Sequence, residues 1–179
     1  MAKKVLVISS SLRARSNSEA LADAFIKGAQ EAGNEVEKVT LKGKTIGFCQ
    51  GCLACQKLGH CVINDDAVAI TEKMLHADVI AFATPIYYYE MAGQLKTMLD
   101  RANALFSLDY AFRDIYVLST AAEDEEHVPE RAVAGVTGWI DCFAKAKLAG
   151  TVFAGGVTAM GDIAGHKALE KAYAMGKKA

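Results

Sequence analysis

The chain has 179 residues, 52% hydrophobic and 23% charged, with 2 prolines and 15 glycines. That is enough apolar side chain to fill one core and too much for a disordered chain. Lys and Arg number 20 and Asp and Glu 21, a formal charge of −1, so the basic stripe of a nucleic-acid or acidic-membrane binder is missing. No apolar run reaches the ~18 residues of a membrane span. Lys3-Lys4 is followed only by Val5 to Ile8 before three serines, which reads as a strand and not a signal peptide. The expectation is one domain over residues 1–179, in the cytoplasm, with neither nucleic acid nor membrane as partner.

Val5-Leu6-Val7-Ile8 is continuously apolar, as in a central strand buried on both faces. From Ser18, Leu21, Ala24, Phe25, Ala29 and Ala32 recur at helical spacing, with Gly33-Asn34 as the stop. Glu35 to Leu41 reads as the second strand. After a loop rich in Gly and Cys, Asp65 or Asp66 caps a helix carrying Val68, Ile70, Met74 and Leu75. Ala77 to Ala83 is the third strand, ended by Thr84-Pro85. Met91 to Phe106 has helical period, Ile115 to Ser119 is the fourth strand, and Pro129 opens a helix to about Lys147. Thr151 to Ala154 and Lys167 to Met175 supply the last strand and helix. Strands alternating with helices, without hairpin signals, predict a doubly wound α/β domain on a parallel sheet.

In such sheets the ligand lies outside the carboxyl ends of the strands. The first strand is not followed by G-x-G-x-x-G, and Gly43-Lys44-Thr45 lacks the upstream glycine and following helix of a Walker A loop. Instead Ser9-Ser10-Ser11-Leu12-Arg13-Ala14-Arg15-Ser16-Asn17-Ser18 brings hydroxyls, an amide and guanidinium groups to a helix N-terminus. Backbone N–H groups and the helix dipole there suit a phosphate monoester, and helix capping by Ser16, Asn17 or Ser18 is compatible with that role. The third strand runs into Thr84-Pro85-Ile86-Tyr87-Tyr88-Tyr89, an aromatic cluster at the same sheet edge, suited to a planar ring.

These motifs resemble the NAD(P)H-dependent FMN reductase superfamily of flavodoxin-like proteins, in the branch that includes iron-sulfur flavoproteins. Ser9 to Asn17 is similar to the family's phosphate loop, Thr84 to Tyr88 to its loop under the isoalloxazine ring, and Gly93-Gln94-Leu95-Lys96 with Asp100-Arg101 to its helix signature. The resemblance implies a flavodoxin-like five-stranded parallel sheet of order 2-1-3-4-5. It further implies FMN held by Ser9, Ser11, Arg13, Ser16, Asn17 and Ser18 at the phosphate, and by Thr84, Pro85, Ile86, Tyr87, Tyr88, Ser119, Thr120, Ala121 and Ala122 around the ring. Arg13 matches the family's arginine, whereas Arg15 reads as solvent-facing. Ser10, Leu12 and Ala121-Ala122 depart from the usual Gly, Pro and Gly pair. The implied activity takes hydride from NAD(P)H and reduces a quinone, flavin, azo compound or similar acceptor. No side chain need act as general acid or base, and a homodimer or homotetramer is implied. The alternatives are a flavodoxin-type or iron-sulfur flavoprotein electron carrier, and a thiol redox sensor.

Of five cysteines, Cys49, Cys52, Cys55 and Cys61 fall within thirteen residues. The Cys-x-x-Cys-x-x-Cys-x5-Cys run can ligate a [4Fe-4S] cluster, serve as a redox pair such as Cys52 with Cys55, or consist of reduced, partly buried thiols. Zinc shells more often draw on separated pairs. Because this loop follows the second strand, it is expected at the same sheet edge as the flavin. Cys142, in an amphipathic helix, reads as core. His60 and His127 read as solvated loop residues, and Asp65-Asp66 as helix caps. No Ser-His-Asp order or G-x-S-x-G elbow is present.

Overall fold

The alternating sides of three buried strands define the architecture. In a computed structural model that describes residues 2–179, β1 (Lys4–Ser9), β2 (Glu35–Thr40), β3 (Val79–Tyr87), β5 (Asp114–Thr120) and β6 (Lys147–Ala154) form a parallel sheet of order β2-β1-β3-β5-β6. Successive side chains on a strand point to opposite faces. Leu6, Ile8, Ile80, Phe82, Ile115 and Val117 therefore pack on one side, under α3 (Asp66–His76), α4 (Gly93–Arg101) and α5 (Glu130–Ile140). Val5, Val7, Val79, Ala81 and Leu118 pack on the other, under α1 (Asn17–Glu31) and α6 (Lys167–Gly176). A short helix, α2 (Cys55–Leu58), lies inside the cysteine loop. No described helix is long and apolar enough to cross a membrane.

Local signals explain most boundaries. Ser16 accepts the Glu19 N–H at 3.1 Å and Asp65 accepts the Ala67 N–H at 3.0 Å, so both helices start at their side-chain caps. Gly28 and Gly176 let α1 and α6 meet backbone to backbone. A Cβ at Gly28 would strike the Tyr173 carbonyl and one at Gly176 the Phe25 carbonyl.

The strand order agrees with the expected 2-1-3-4-5 once a sixth, two-residue strand is set aside. That strand, β4 (Glu90–Met91), is antiparallel to β3, pairing Ile86 with Met91 and Tyr87 with Glu90. The chain thus contains a hairpin where none was expected. Its two-residue turn is Tyr88-Tyr89, with φ of 50° and 66°. Left-handed conformation at both positions is the habit of Asn-Gly turns, so two tyrosines conceal it in the sequence. The helix from Met91 is also shorter than its period suggests, giving way to a 3-10 turn over Ala102–Ser107. The helix after Pro129 stops at Ile140 because Lys147 is already paired with Asp114 in the sheet, and turns fill the interval.

Candidate functional site

Loops from the carboxyl ends of β1, β3, β5 and β6 enclose a cleft of about 160 Å³. Its floor is the β1–α1 loop, where the Ser10 hydroxyl donates to the Ala83 carbonyl at 3.1 Å and anchors the loop to β3. Ser11, Arg13, Ser16, Asn17 and Ser18 line the cleft. Ser16, as the cap, leaves the first N–H groups of α1 without intrahelical acceptors. Arg15 is exposed and left-handed, φ 48°, and does not line the cleft.

The loop after β6 closes one side. Arg13 Nη1 donates to the Thr158 carbonyl at 2.9 Å. Asn17 Nδ2 donates to the Ala159 carbonyl at 2.9 Å, while its Oδ1 accepts from Gly161 and Ile163 N–H at 3.2 and 3.4 Å. Asn17 is thus already occupied in holding this loop. Asp162 folds the loop internally by accepting the Thr158 and Ala159 N–H groups at 3.0 and 2.6 Å. Val157 and Thr158 complete the lining, and sequence reasoning missed both. Applying the strand-end rule to the last strand would have found them.

Pro85, Ile86 and Tyr87 form a second wall, and Thr120, Ala121 and Ala122 a third. The Ala121 N–H donates to the Ala154 carbonyl at 3.1 Å and the Val157 N–H to the Ala121 carbonyl at 2.9 Å. Gly155 permits this, since a Cβ there would lie 2.5 Å from Asp124 Cα and 2.6 Å from the Glu123 carbonyl. Of the expected ring and phosphate residues, Ser9, Thr84, Tyr88 and Ser119 do not line the cleft. Ser9, Thr84 and Ser119 are buried in the sheet. The Thr84 hydroxyl accepts the Ala92 N–H at 3.0 Å, fixing the hairpin's return. Tyr88 is 98% exposed.

The donor set suits a phosphorylated flavin. Among the described residues no carboxylate lines the cleft, donors of the β1–α1 loop gather at a helix N-terminus, and the Pro85–Tyr87 wall is largely apolar. The enclosed volume is below the ~300–1,000 Å³ of cavities that engulf a ligand. A flavin here would be gripped at its phosphate end and lie open along its ring.

The cysteines occupy a different place. The chain after β2 descends along α4, and Cys49, Cys52, Cys55 and Cys61 line a cavity of about 510 Å³ beside the C-terminal end of that helix. This cavity and the strand-end cleft share no lining residue, which corrects the expectation of a common edge. Arg101 organises the descent, its side chain fully buried. Nη1 and Nη2 bond the two Asp65 carboxylate oxygens at 2.6 and 2.9 Å, and they also reach the Gly47 and Ile63 carbonyls at 2.8 and 2.9 Å. Burial alone would raise the Asp65 pKa, but the bonds from Arg101 and from the Gly47 and Ala67 N–H groups hold it below the ordinary aspartate value. Asp65 is therefore both the expected cap and half of a buried ion pair.

Cys142 is exposed and lines the cysteine cavity with Trp139 and Phe143, so the core placement expected for it is corrected: the helix ends before it. Asn103 Nδ2 approaches Cys55 Sγ at 3.2 Å. Among the described residues no three His, Cys, Asp or Glu side chains converge on one ion position, so these thiols do not form a preset tetrahedral zinc shell. A cubane spreads its ligands more widely, and the shared cavity leaves room for that donor set.

Comparison with known proteins bears on both places. The sequence model of the family described as NADPH-dependent FMN reductase matches residues 3–138. An iron-sulfur flavoprotein of Archaeoglobus fulgidus is 36% identical over 98 residues, 55% of this chain and 44% of that protein. One from Methanosarcina thermophila is 35% identical over 111 residues, 62% and 58% of the two chains. The chain thus spans about half the length of the curated relatives it matches. An azoreductase from Bacillus anthracis superposes with a TM-score of 0.75 at 19% identity, over 99% of this chain and 100% of that one. An NAD(P)H:quinone oxidoreductase from Methanothermobacter marburgensis does so at 0.72 and 19%, over 99% and 97%. At such identities the agreement is one of flavodoxin-like fold.

Proposed function

We propose, from the premise that this chain belongs to the NADPH-dependent FMN reductase family, that it is an FMN oxidoreductase: it takes hydride from NAD(P)H and passes electrons to a quinone, flavin, azo compound or similar small acceptor. The observation that carries this reading is the strand-end cleft, with basic and hydroxyl donors at the α1 N-terminus and an apolar wall at Pro85–Tyr87. Bound FMN supplies the redox chemistry, accepting two electrons from a reduced nicotinamide and releasing them to the acceptor. The residues supply position. Arg13, Ser11, Ser16 and Ser18 would hold the phosphate, with Asn17 keeping the β6 loop in place behind it. Ile86, Tyr87 and the Thr120–Ala122 backbone would bracket the ring and leave one face to donor and acceptor in turn. The test is anaerobic reduction of FMN-reconstituted protein by NADH and by NADPH. Bleaching of the flavin band is expected, and no bleaching with either overturns the reading.

A second reading, electron carriage through a [4Fe-4S] cluster, is favoured by one observation: Cys49, Cys52, Cys55 and Cys61 line a single cavity. Iron analysis of anaerobically purified protein tests it, with near-stoichiometric iron and sulfide supporting it and iron near zero rejecting it. The homodimer or homotetramer is a proposal too, read by light scattering.

A further inference from the structure

The β3–β4 hairpin is held in an unfavourable conformation by contacts outside itself. Tyr88 and Tyr89 have φ of 50° and 66°, a region that glycine enters freely and bulky side chains do not. Such conformations persist where surrounding structure over-determines them, and they cluster at functional sites. None of the described residues covers Tyr88, which is 98% exposed. Tyr89 is different. Its ring stacks on His127 with centroids 6.2 Å apart and planes at 16°, and the Arg131 guanidinium lies 5.9 Å from the ring centroid. Aromatic stacking and a cation over a ring are both stabilising. Below the turn, β4 is seated on α5: Met91 is buried, and its Cε lies 2.8 Å from where a Cβ on Gly135 would be.

These contacts join two walls of the cleft. Tyr89 extends the strand that carries Pro85, Ile86 and Tyr87, and His127 belongs to the segment that begins with Thr120, Ala121 and Ala122. We infer that Tyr89 is a positioning residue: stacked on His127 and under Arg131, it locks the tyrosine turn, so that Tyr87 and Tyr88 stand at the mouth of the cleft as a platform for a planar aromatic acceptor. This rests on the flavin reading above. It assigns to His127 the task of a ring surface, not that of an acid or base. The strained turn is what lifts the Tyr88 ring away from the body of the chain. A planar acceptor gains stacking area on the ring faces there, with only the phenol hydroxyls at the ring edges as polar groups, which fits a substrate class defined by flatness.

The decisive variant is Tyr89→Gly. A purely structural role predicts an equal or better fold, since glycine relieves the positive φ. The inference predicts that folding is retained while the hairpin loosens: hydrogen exchange at the amides of residues 86–91 accelerates relative to wild type. With FMN bound, the KM for the planar quinone menadione rises about 2- to 10-fold, the scale of one lost aromatic contact. The FMN Kd and the rate of flavin reduction by NADPH stay within about twofold. Tyr89→Phe keeps the ring and restores wild-type values, and His127→Ala shifts KM in the same direction. Unchanged hydrogen exchange in Tyr89→Gly overturns the inference, as does an unchanged KM, or a KM rise matched by an equal loss of FMN affinity. Hydrogen exchange needs no flavin. Failure of wild-type protein to bind or reduce FMN would therefore count against the function while the clamp is still judged on its own.

Discussion

Around the strand-end cleft the loops are fastened to one another at several points, through backbone bonds such as Ala121 to Ala154 and Val157 to Ala121 and through the Arg13 and Asn17 side chains that bond the loop after β6. Around the cysteine cavity stand Phe106, Trp139, Phe143 and the thiols, and the buried ion pair that ties the loop to α4 is that of Arg101 with Asp65, whose carboxylate also accepts the Gly47 N–H. The first place is dictated by topology, because any doubly wound sheet opens its crevice at the strand carboxyl ends. The second depends on a long connection being pinned to a helix by Arg101. A single substitution should therefore wreck the second place far more readily than the first.

The largest effect expected is at that pin. Arg101→Ala leaves the buried Asp65 carboxylate and the Gly47 and Ile63 carbonyls without their donor, a loss of about 3–5 kcal/mol for breaking one side of a buried pair. Denaturant titration checks it, and limited proteolysis should map the first cleavages to residues 44–65. Acid should act on the same pair. The folded Asp65 pKa lies below its unfolded value, so the pair's stabilisation is complete above the unfolded pKa of ~3.9 and is lost as pH falls through the folded value. Loop opening near neutral pH would show that something else holds the descent.

The cleft should yield smaller effects. Arg13→Ala should weaken FMN binding by about 1.5–3 kcal/mol, the range of a charge-assisted hydrogen bond. Arg15→Ala, outside the cleft, should change it little. Equal losses in the two variants, read by flavin fluorescence titration, would reverse the assignment. Smaller again, Ser16→Ala removes the α1 cap that receives the Glu19 N–H and should lower stability by about 1 kcal/mol.

The same contrast explains what could be read from the sequence. Continuous apolar strands such as Val5–Ile8 and caps such as Ser16 and Asp65 are local signals, and they lead to the α/β class and to the loops after β1 and β3, while the order of the sheet and the Thr120–Ala122 wall followed only from the family resemblance. Thr158 escaped because the last strand end was left unread. The Tyr88-Tyr89 turn escaped because its residues contradict its conformation, and the clash is repaid by His127 and Arg131, distant in sequence. The cysteine loop was placed by its parent strand, yet its course is set by Arg101, which in the sequence is one charge in an amphipathic helix. Cys142 was misplaced by extending a helical period to about Lys147, past its true end at Ile140.

The smallest effect expected is also the one that most sharply separates the two places. The cavity lined by Cys52 and Cys55 shares no residue with the strand-end cleft, so Cys52→Ser with Cys55→Ser should leave FMN affinity and flavin reduction by NAD(P)H within about twofold of wild type. Hydroxyls are poor ligands for iron, so any cluster-bound iron should be lost in this variant, and with it transfer to one-electron acceptors. If the unsubstituted protein carries no iron, both kinds of transfer should persist in the variant. Only coupling of the thiols to the ring would make the two substitutions slow the nicotinamide step. Stopped-flow reduction of the flavin in wild-type and variant protein therefore decides whether the cysteine cavity is a separate device or part of the flavin site, and a slowing of more than tenfold would show that the two places act as one.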